Sequence, residues 1–181
     1  MRTWKTRLVK DSHIVIRRLY PGDHAYILPN SDKRIIFVIP YEDDFSLIGT
    51  TDVEWVGKPT DVSIDAEEID YLCCAVNTWL RQQIAPGDVL WSFAGIRSLY
   101  DDHSPNVSEI SRDYMLSLDE DDGRPPILSV YGGKITIHRA LAEDAVDRLI
   151  HHFEGAGPAW TREAPLPGGD LDDRGAGRSD R

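Results

Sequence analysis

Cysteine is nearly missing from this sequence. Cys73 and Cys74 are the two it has, and they are adjacent. Neighbours in sequence rarely close an unstrained disulfide, so there is no disulfide framework and nothing points to an oxidising compartment. Long hydrophobic runs are missing as well. No stretch approaches the roughly 20 apolar residues of a membrane-spanning helix. The basic start Met1-Arg-Thr-Trp-Lys-Thr-Arg7 is not followed by the apolar segment of a signal peptide. Positive charge is scarce: 20 Lys and Arg stand against 31 Asp and Glu, a formal net charge of -11. Such a surface repels phosphate backbones and anionic lipid, so nucleic acid is not an expected partner. No G-x-G-x-x-G occurs anywhere in the chain. No set of residues has zinc-ligand spacing, and His151 and His152, as helix neighbours, should not face one ion, so no metal is expected. These absences predict a soluble intracellular chain.

What is present reads as an ordinary globular composition, with 41% hydrophobic and 28% charged residues. The 181 residues suffice for one domain with an appendage. Runs rich in Ile, Val, Phe and Tyr at 13–18, 26–28, 34–40 and 45–51 are separated by turn clusters, Glu42-Asp43-Asp44 among them, and predict an antiparallel sheet. A helix follows. Asp65 is its expected N-cap, with Glu68 three residues on as in a capping box, and Ile69, Leu72, Cys73, Val76 and Leu80 form its apolar stripe. Cys73 is therefore expected in the core. Strands are expected again at 89–96, 112–118 and 127–131. A second helix should begin near Thr136, with Ile137, Leu141, Ala145, Leu149 and Phe153 on its apolar face, and end at Gly155. Residues 157–181 are rich in Pro, Gly and Asp, and from 165 onward read as a disordered tail. The fold class is α+β.

The most suggestive local pattern is strand–Gly132-Gly133-Lys134–helix. A glycine pair at such a corner lets a ligand approach the backbone, where a helix N-terminus and a lysine favour an anionic atom. It is not a Walker A loop, because Leu128 stands at its first glycine position and Ile135 where Ser or Thr should follow the lysine. From spacing by itself a structural turn is the favoured reading and a ligand site the alternative. His13, at the start of a strand, has an ordinary pKa suited to proton transfer near neutral pH, although a strand-end histidine is commonly structural. Arg97 and Arg112 lie at strand ends, placed either for a phosphate or carboxylate or for salt bridges with the abundant acids.

Several collinear segments add to this: Asp32-Lys-Arg-Ile-Ile-Phe-Val-Ile-Pro40, Phe45-Ser-Leu-Ile-Gly-Thr-Thr-Asp-Val-Glu54, Trp91-Ser-Phe-Ala-Gly-Ile-Arg97, Ser111-Arg-Asp-Tyr114, Leu128-Ser-Val-Tyr-Gly-Gly-Lys-Ile-Thr136 and Gly157-Pro-Ala-Trp-Thr161. In this order, from Ser12 to Gly169, the chain resembles the FAD-dependent glycerol-3-phosphate dehydrogenases. The resemblance implies a substrate-binding cap of antiparallel or mixed sheet at 12–88. It implies the returning strands and helix of a split FAD-binding domain at 89–156. That family's N-terminal dinucleotide-binding part and helical C-terminal domain have no counterpart here, so the chain reads as the middle portion of such an enzyme. Its apolar surface over 89–131 should then be uncovered, favouring aggregation or oligomerisation.

The resemblance also implies the chemistry: oxidation of sn-glycerol 3-phosphate to dihydroxyacetone phosphate by hydride transfer to FAD, with quinone as the electron acceptor. The site would be cytoplasmic, with peripheral attachment of the whole enzyme at the inner membrane allowed. By position, His13 and Arg97 would be catalytic. Arg97, Arg112 and Lys134 would bind substrate, and Gly132, Gly133, Lys134 and Thr136 would bind the flavin. Asp11 departs from the family's glycine before Ser12-His13, and its negative charge should raise the His13 pKa. Arg17, Ser98 and Ile137-His138 depart as well. Two other readings remain: a related FAD-dependent oxidase of the same fold, and a non-catalytic module that holds a phosphorylated ligand.

Overall fold

A computed structural model describes residues 6–121 and 123–170. The chain forms two compact units, Met1–Arg112 and Asp113–Arg181. The part of the expected tail at 171–181 lies outside the described residues.

The first unit is organised around β1 (Thr6–Arg17). Its residues are buried at both odd and even positions, since Val9, Asp11 and Val15 are enclosed as fully as Lys10, Ser12 and Ile14. Both edges are also paired. One edge runs antiparallel to β6 (Trp91–Tyr100) from Thr6↔Tyr100 to Val15↔Trp91. The other meets β4 (Phe45–Gly49) along His13–Arg17 and the short β5 (Val53–Glu54) at Val9 and Lys10. Outside β4 lie β3 (Ile35–Tyr41) and β2 (Tyr26–Pro29), giving an antiparallel sheet of six strands.

Helix α1 (Ala66–Asn77) covers one face of this sheet. Ile14, Ile16, Ile36, Val38 and Ile48 from the strands meet Leu72 and Val76 from the helix. Each such side chain, fully enclosed, contributes roughly 1.5–3 kcal/mol. Cys73 packs in this core as expected, and burial pushes its thiol up to about 11. The capping box is present: the Asp65 carboxylate accepts from the Glu68 N–H at 2.9 Å, and the Glu68 carboxylate accepts from the Asp65 N–H at 3.2 Å. The opposite parity of β3 (Ile35, Phe37, Ile39 and Tyr41) is exposed.

The second unit holds a hairpin of β7 (Tyr114–Asp119) and β8 (Ile127–Gly132), followed by α2 (His138–Leu149). The helix begins two residues later than expected, because Ile135–Ile137 forms a 3-10 turn first. Ile137, Leu141, Ala145 and Leu149 are half-buried as expected, whereas Phe153 is exposed. Part of the expected tail packs instead: Ala156 to Leu166 lies along α2, and Arg139 donates to the Ala164 carbonyl.

One feature differs from the sequence reading of the first unit. β1 starts at Thr6, well before residue 13, because Lys10, Asp11 and Ser12 each find partners that let a polar run enter a sheet. Strand β6, which the resemblance places in the flavin-domain return, shares a sheet with β1, and the compact division falls after Arg112. Trp91, Phe93, Ile127 and Val130 are exposed apolar residues on the strands of the two units. Among the described residues no helix is long and apolar enough to cross a membrane.

Candidate active site

Strand register brings His13 between two neighbours, Gly49 on β4 and Phe93 on β6. The His13 imidazole stacks on the Phe93 ring, with centroids 4.9 Å apart and planes 4° from parallel. Its other side lies against Gly49. A Cβ at that glycine would sit 2.1 Å from His13 Cδ2, so only the missing side chain admits the ring. The Gly49–Thr50 peptide is cis. The Nδ1 atom of His13 is buried and has no hydrogen-bond partner among the described residues. Burial, and then the Arg97 charge, hold the His13 pKa below its ordinary value. That favours the neutral imidazole, the form able to take up a proton.

Two residues along β1, Asp11 projects to the same face as His13 and forms an ion pair with Arg97 of β6. Burial pushes the Asp11 carboxyl up to about 6 against the pull of Arg97; Asp52 adds to the rise, while Arg112 and the Thr50 hydroxyl oppose it. Arg112 in turn donates to Asp52 at 2.6 Å and to the carbonyls of Ser108 and Ile110 at 3.0 and 2.9 Å. The structure therefore gathers His13, Arg97 and Arg112 around two carboxylates. Both arginines are partnered within the chain, so an anionic ligand here would compete with Asp11 and Asp52 for them. The Asp11 charge is spent on Arg97, and the His13 pKa moves down rather than up as expected.

Behind this face a buried polar network anchors the strand. Ser12 Oγ and Thr51 Oγ1 both donate to Glu68 Oε1, at 2.9 and 2.8 Å, while Lys10 Nζ pairs with Glu68 Oε2 at 2.7 Å. Thr51 also accepts from the Ser12 N–H at 3.1 Å. One glutamate thus caps α1 and fixes the residues on either side of the His13 pocket. The sequence reading missed Gly49, Asp52, Thr51 and Phe93 as site members. The only local signal was a polar Gly-Thr-Thr-Asp run inside an apolar strand region.

Gly132, Gly133, Lys134 and Thr136 belong to the second unit. Gly132 and Gly133 have φ of +68° and +93°, where L side chains are strained. A Cβ on Gly133 would also press on Tyr114 and Leu141, at 3.2 and 3.3 Å, so the turn has a packing reason of its own. Lys134 and Thr136 are exposed at the start of the 3-10 turn.

Comparison with known proteins adds the lineage. Residues 2–139 match the family described as FAD dependent oxidoreductase. A glycerol-3-phosphate dehydrogenase of Pseudomonas aeruginosa is 54% identical over 164 residues, 91% of this chain and 32% of that protein. A D-erythritol 1-phosphate dehydrogenase of Brucella abortus is 50% identical, over 91% of this chain and 33% of its own length. Among solved structures, the glycerol-3-phosphate dehydrogenase of Bacillus halodurans complexed with FAD superposes with a TM-score of 0.69 at 28% identity, over 93% of this chain and 31% of that one. The chain thus spans about a third of the length of the relatives it matches.

Proposed function

The chain belongs to the FAD dependent oxidoreductase family, and we propose that it forms part of an enzyme oxidising sn-glycerol 3-phosphate to dihydroxyacetone phosphate. The observation that carries this reading is His13: an imidazole with an unpartnered, buried Nδ1, enclosed by Gly49 and Phe93, its pKa held below the ordinary value by burial and by Arg97.

In this reading His13 takes the proton of the 2-hydroxyl. Arg97 holds the substrate beside the reacting carbon and stabilises the oxygen as it becomes a ketone. Arg112, tethered by Ser108 and Ile110, supplies a cationic donor for the phosphate. The Gly132-Gly133 corner, two residues without side chains held at positive φ, is the flavin contact in this reading, and Lys134 and Thr136 would hold the ring from there. When bound, FAD supplies the acceptor for the hydride that leaves C2. The division into cap (12–88), flavin-domain return (89–156) and tail (157–181) belongs to the same proposal. So do a membrane quinone as final acceptor, a cytoplasmic site and peripheral attachment of the whole enzyme.

The sequence has no G-x-G-x-x-G to bind the flavin pyrophosphate, and the 181-residue chain is therefore expected not to turn over by itself. The test is dye reduction driven by glycerol 3-phosphate with added FAD, run on the chain and on a full-length enzyme carrying this segment. Turnover in the full-length enzyme alone supports the reading. Binding of glycerol 3-phosphate with no flavin reduction in either would favour a phosphate-holding module, and oxidation of amino acids instead would favour a related oxidase.

A further inference from the structure

A second group of chemistry-bearing side chains lies in the Asp113–Arg181 unit, and the proposed oxidation makes no use of it. Glu120 follows directly on β7, and His151 and His152 close the 3-10 turn that ends α2. Neighbours on an α-helix diverge by about 100°, which is why the sequence reading set these two histidines apart. In the folded chain they converge. Their rings lie side by side with centroids 4.0 Å apart. His151 Nε2 is 3.0 Å and His152 Nε2 is 2.8 Å from the same oxygen, Glu120 Oε1. The three ligand atoms all fall within 4.8 Å of one another.

Two imidazole nitrogens gathered about one carboxylate oxygen form a donor set that suits a divalent transition metal. Zinc binds such ligands at about 2.0–2.2 Å, and a tetrahedral centre with those bonds holds its ligand atoms about 3.3–3.5 Å apart. The two distances to Glu120 therefore open by a few tenths of an ångström, and the separation of the two imidazole nitrogens, within 4.8 Å, adjusts to the same spacing. In place of the metal, Glu120 Oε1 accepts from both rings. All three side chains reach solvent, so an ion could enter directly and complete its coordination with water. Imidazole nitrogens select against Mg2+ and Ca2+, which prefer all-oxygen sites.

We propose that Glu120, His151 and His152 form a binding site for a divalent first-row transition metal of the Zn2+ class, which clips the end of β7 to the end of α2. The clip would join residues about thirty positions apart in the chain and steady a helix that buries no residue of its own among those described.

The test is Zn2+ titration of the untagged 181-residue chain by calorimetry in a non-chelating buffer. One saturating equivalent is expected. Outer-shell changes already cost metal sites roughly 10–100-fold in affinity, so losing a ligand in Glu120→Gln or His152→Ala should weaken binding by at least about tenfold. His103→Ala, at an exposed histidine outside the cluster, should leave binding unchanged, and Mg2+ should give no signal. Absent saturable binding, or binding that survives the double variant His151→Ala with His152→Ala, would overturn the proposal. Should a variant fail to fold, Co2+ added to the wild-type chain decides the matter. Ligand-field bands with paramagnetic shifts at His151 and His152 support the site, and shifts confined to other histidines overturn it.

Discussion

His13 and Gly49 face each other across β1 and β4 at a register position where any side chain on the second would overlap the ring of the first. Gly49→Ala should therefore displace the imidazole or spread the strands. Overpacking of this kind costs about 1–3 kcal/mol, which urea denaturation would register. Gly95 provides the contrast. It lies opposite Asp11 in the same sheet, and a Cβ there meets nothing within 4 Å. Gly95→Ala should leave the denaturation midpoint almost unmoved, and equal losses at both glycines would contradict this account of the pocket.

Replacing His13 by glutamine in a full-length enzyme removes the proposed base while leaving Gly49 and Phe93 around a side chain of similar length. Loss of general-base catalysis is worth about 10²–10⁴-fold in rate. The expected result is a fall of that order in kcat with a much smaller change in KM. A change in KM alone would assign His13 to binding.

The acid limb of the pH profile carries separate information. Burial and Arg97 disfavour the imidazolium, so the acid limb of kcat/KM should lie below 6.5, the ordinary histidine value. Weakening the Arg97 charge effect, as in Arg97→Gln, should move that limb upward, although overall activity drops. An acid limb above 6.5 in the parent enzyme would remove His13 from the role.

Asp11 should leave its own mark on stability. Its carboxyl is raised from 3.8 to about 6 in the folded chain, so the folded state keeps this proton after the unfolded state has released it. The resulting stability is fully present below 3.8 and is lost as pH rises through about 6. Asp11→Asn cannot ionise, and the decline in unfolding free energy across that window should flatten in the variant. Denaturation curves measured at several pH values would show this, and an unchanged decline would place the titration elsewhere.

The network behind the strand gives a fifth expectation. Lys10 and Glu68 are 3% and 6% exposed and pair at 2.7 Å. Glu68→Ala leaves a buried ammonium with the more exposed Asp65 as its remaining carboxylate, beside the Ser63 carbonyl, and also removes half of the capping box. Breaking a buried pair from one side costs roughly 3–5 kcal/mol. The paired change Lys10→Met with Glu68→Leu should recover part of that loss, since no charge is then left buried alone, while the Ser12 and Thr51 hydroxyls still lose their acceptor. Thermal unfolding of the single and double variants distinguishes the two.

Much of this molecule follows from chemistry within a few residues. Asp65 and Glu68 start α1 through hydrogen bonds three positions apart, and the stripe through Leu72 and Val76 selects the buried face by helical period alone. The β-branched and aromatic run Ile35–Ile39 states the strand β3, but because it is apolar throughout only the fold decides that Ile36 and Val38 are its buried face; the acidic turn at Glu42-Asp43-Asp44 joins it to β4. His13 and the two arginines were legible as chemically capable residues.

Their arrangement was not legible, because it depends on partners far along the chain. Gly49 faces His13 from 36 positions away, Arg97 meets Asp11 across 86, and Arg112 meets Asp52 across 60. Local period states which side of a strand a residue occupies and says nothing of which strand lies beside it. That choice is made by register, and register is set by how much apolar surface the whole sheet buries against α1. The same reason governs His151 and His152. Helical geometry separates them, and only the fold, by bringing Glu120 to the end of α2, draws both nitrogens to one oxygen.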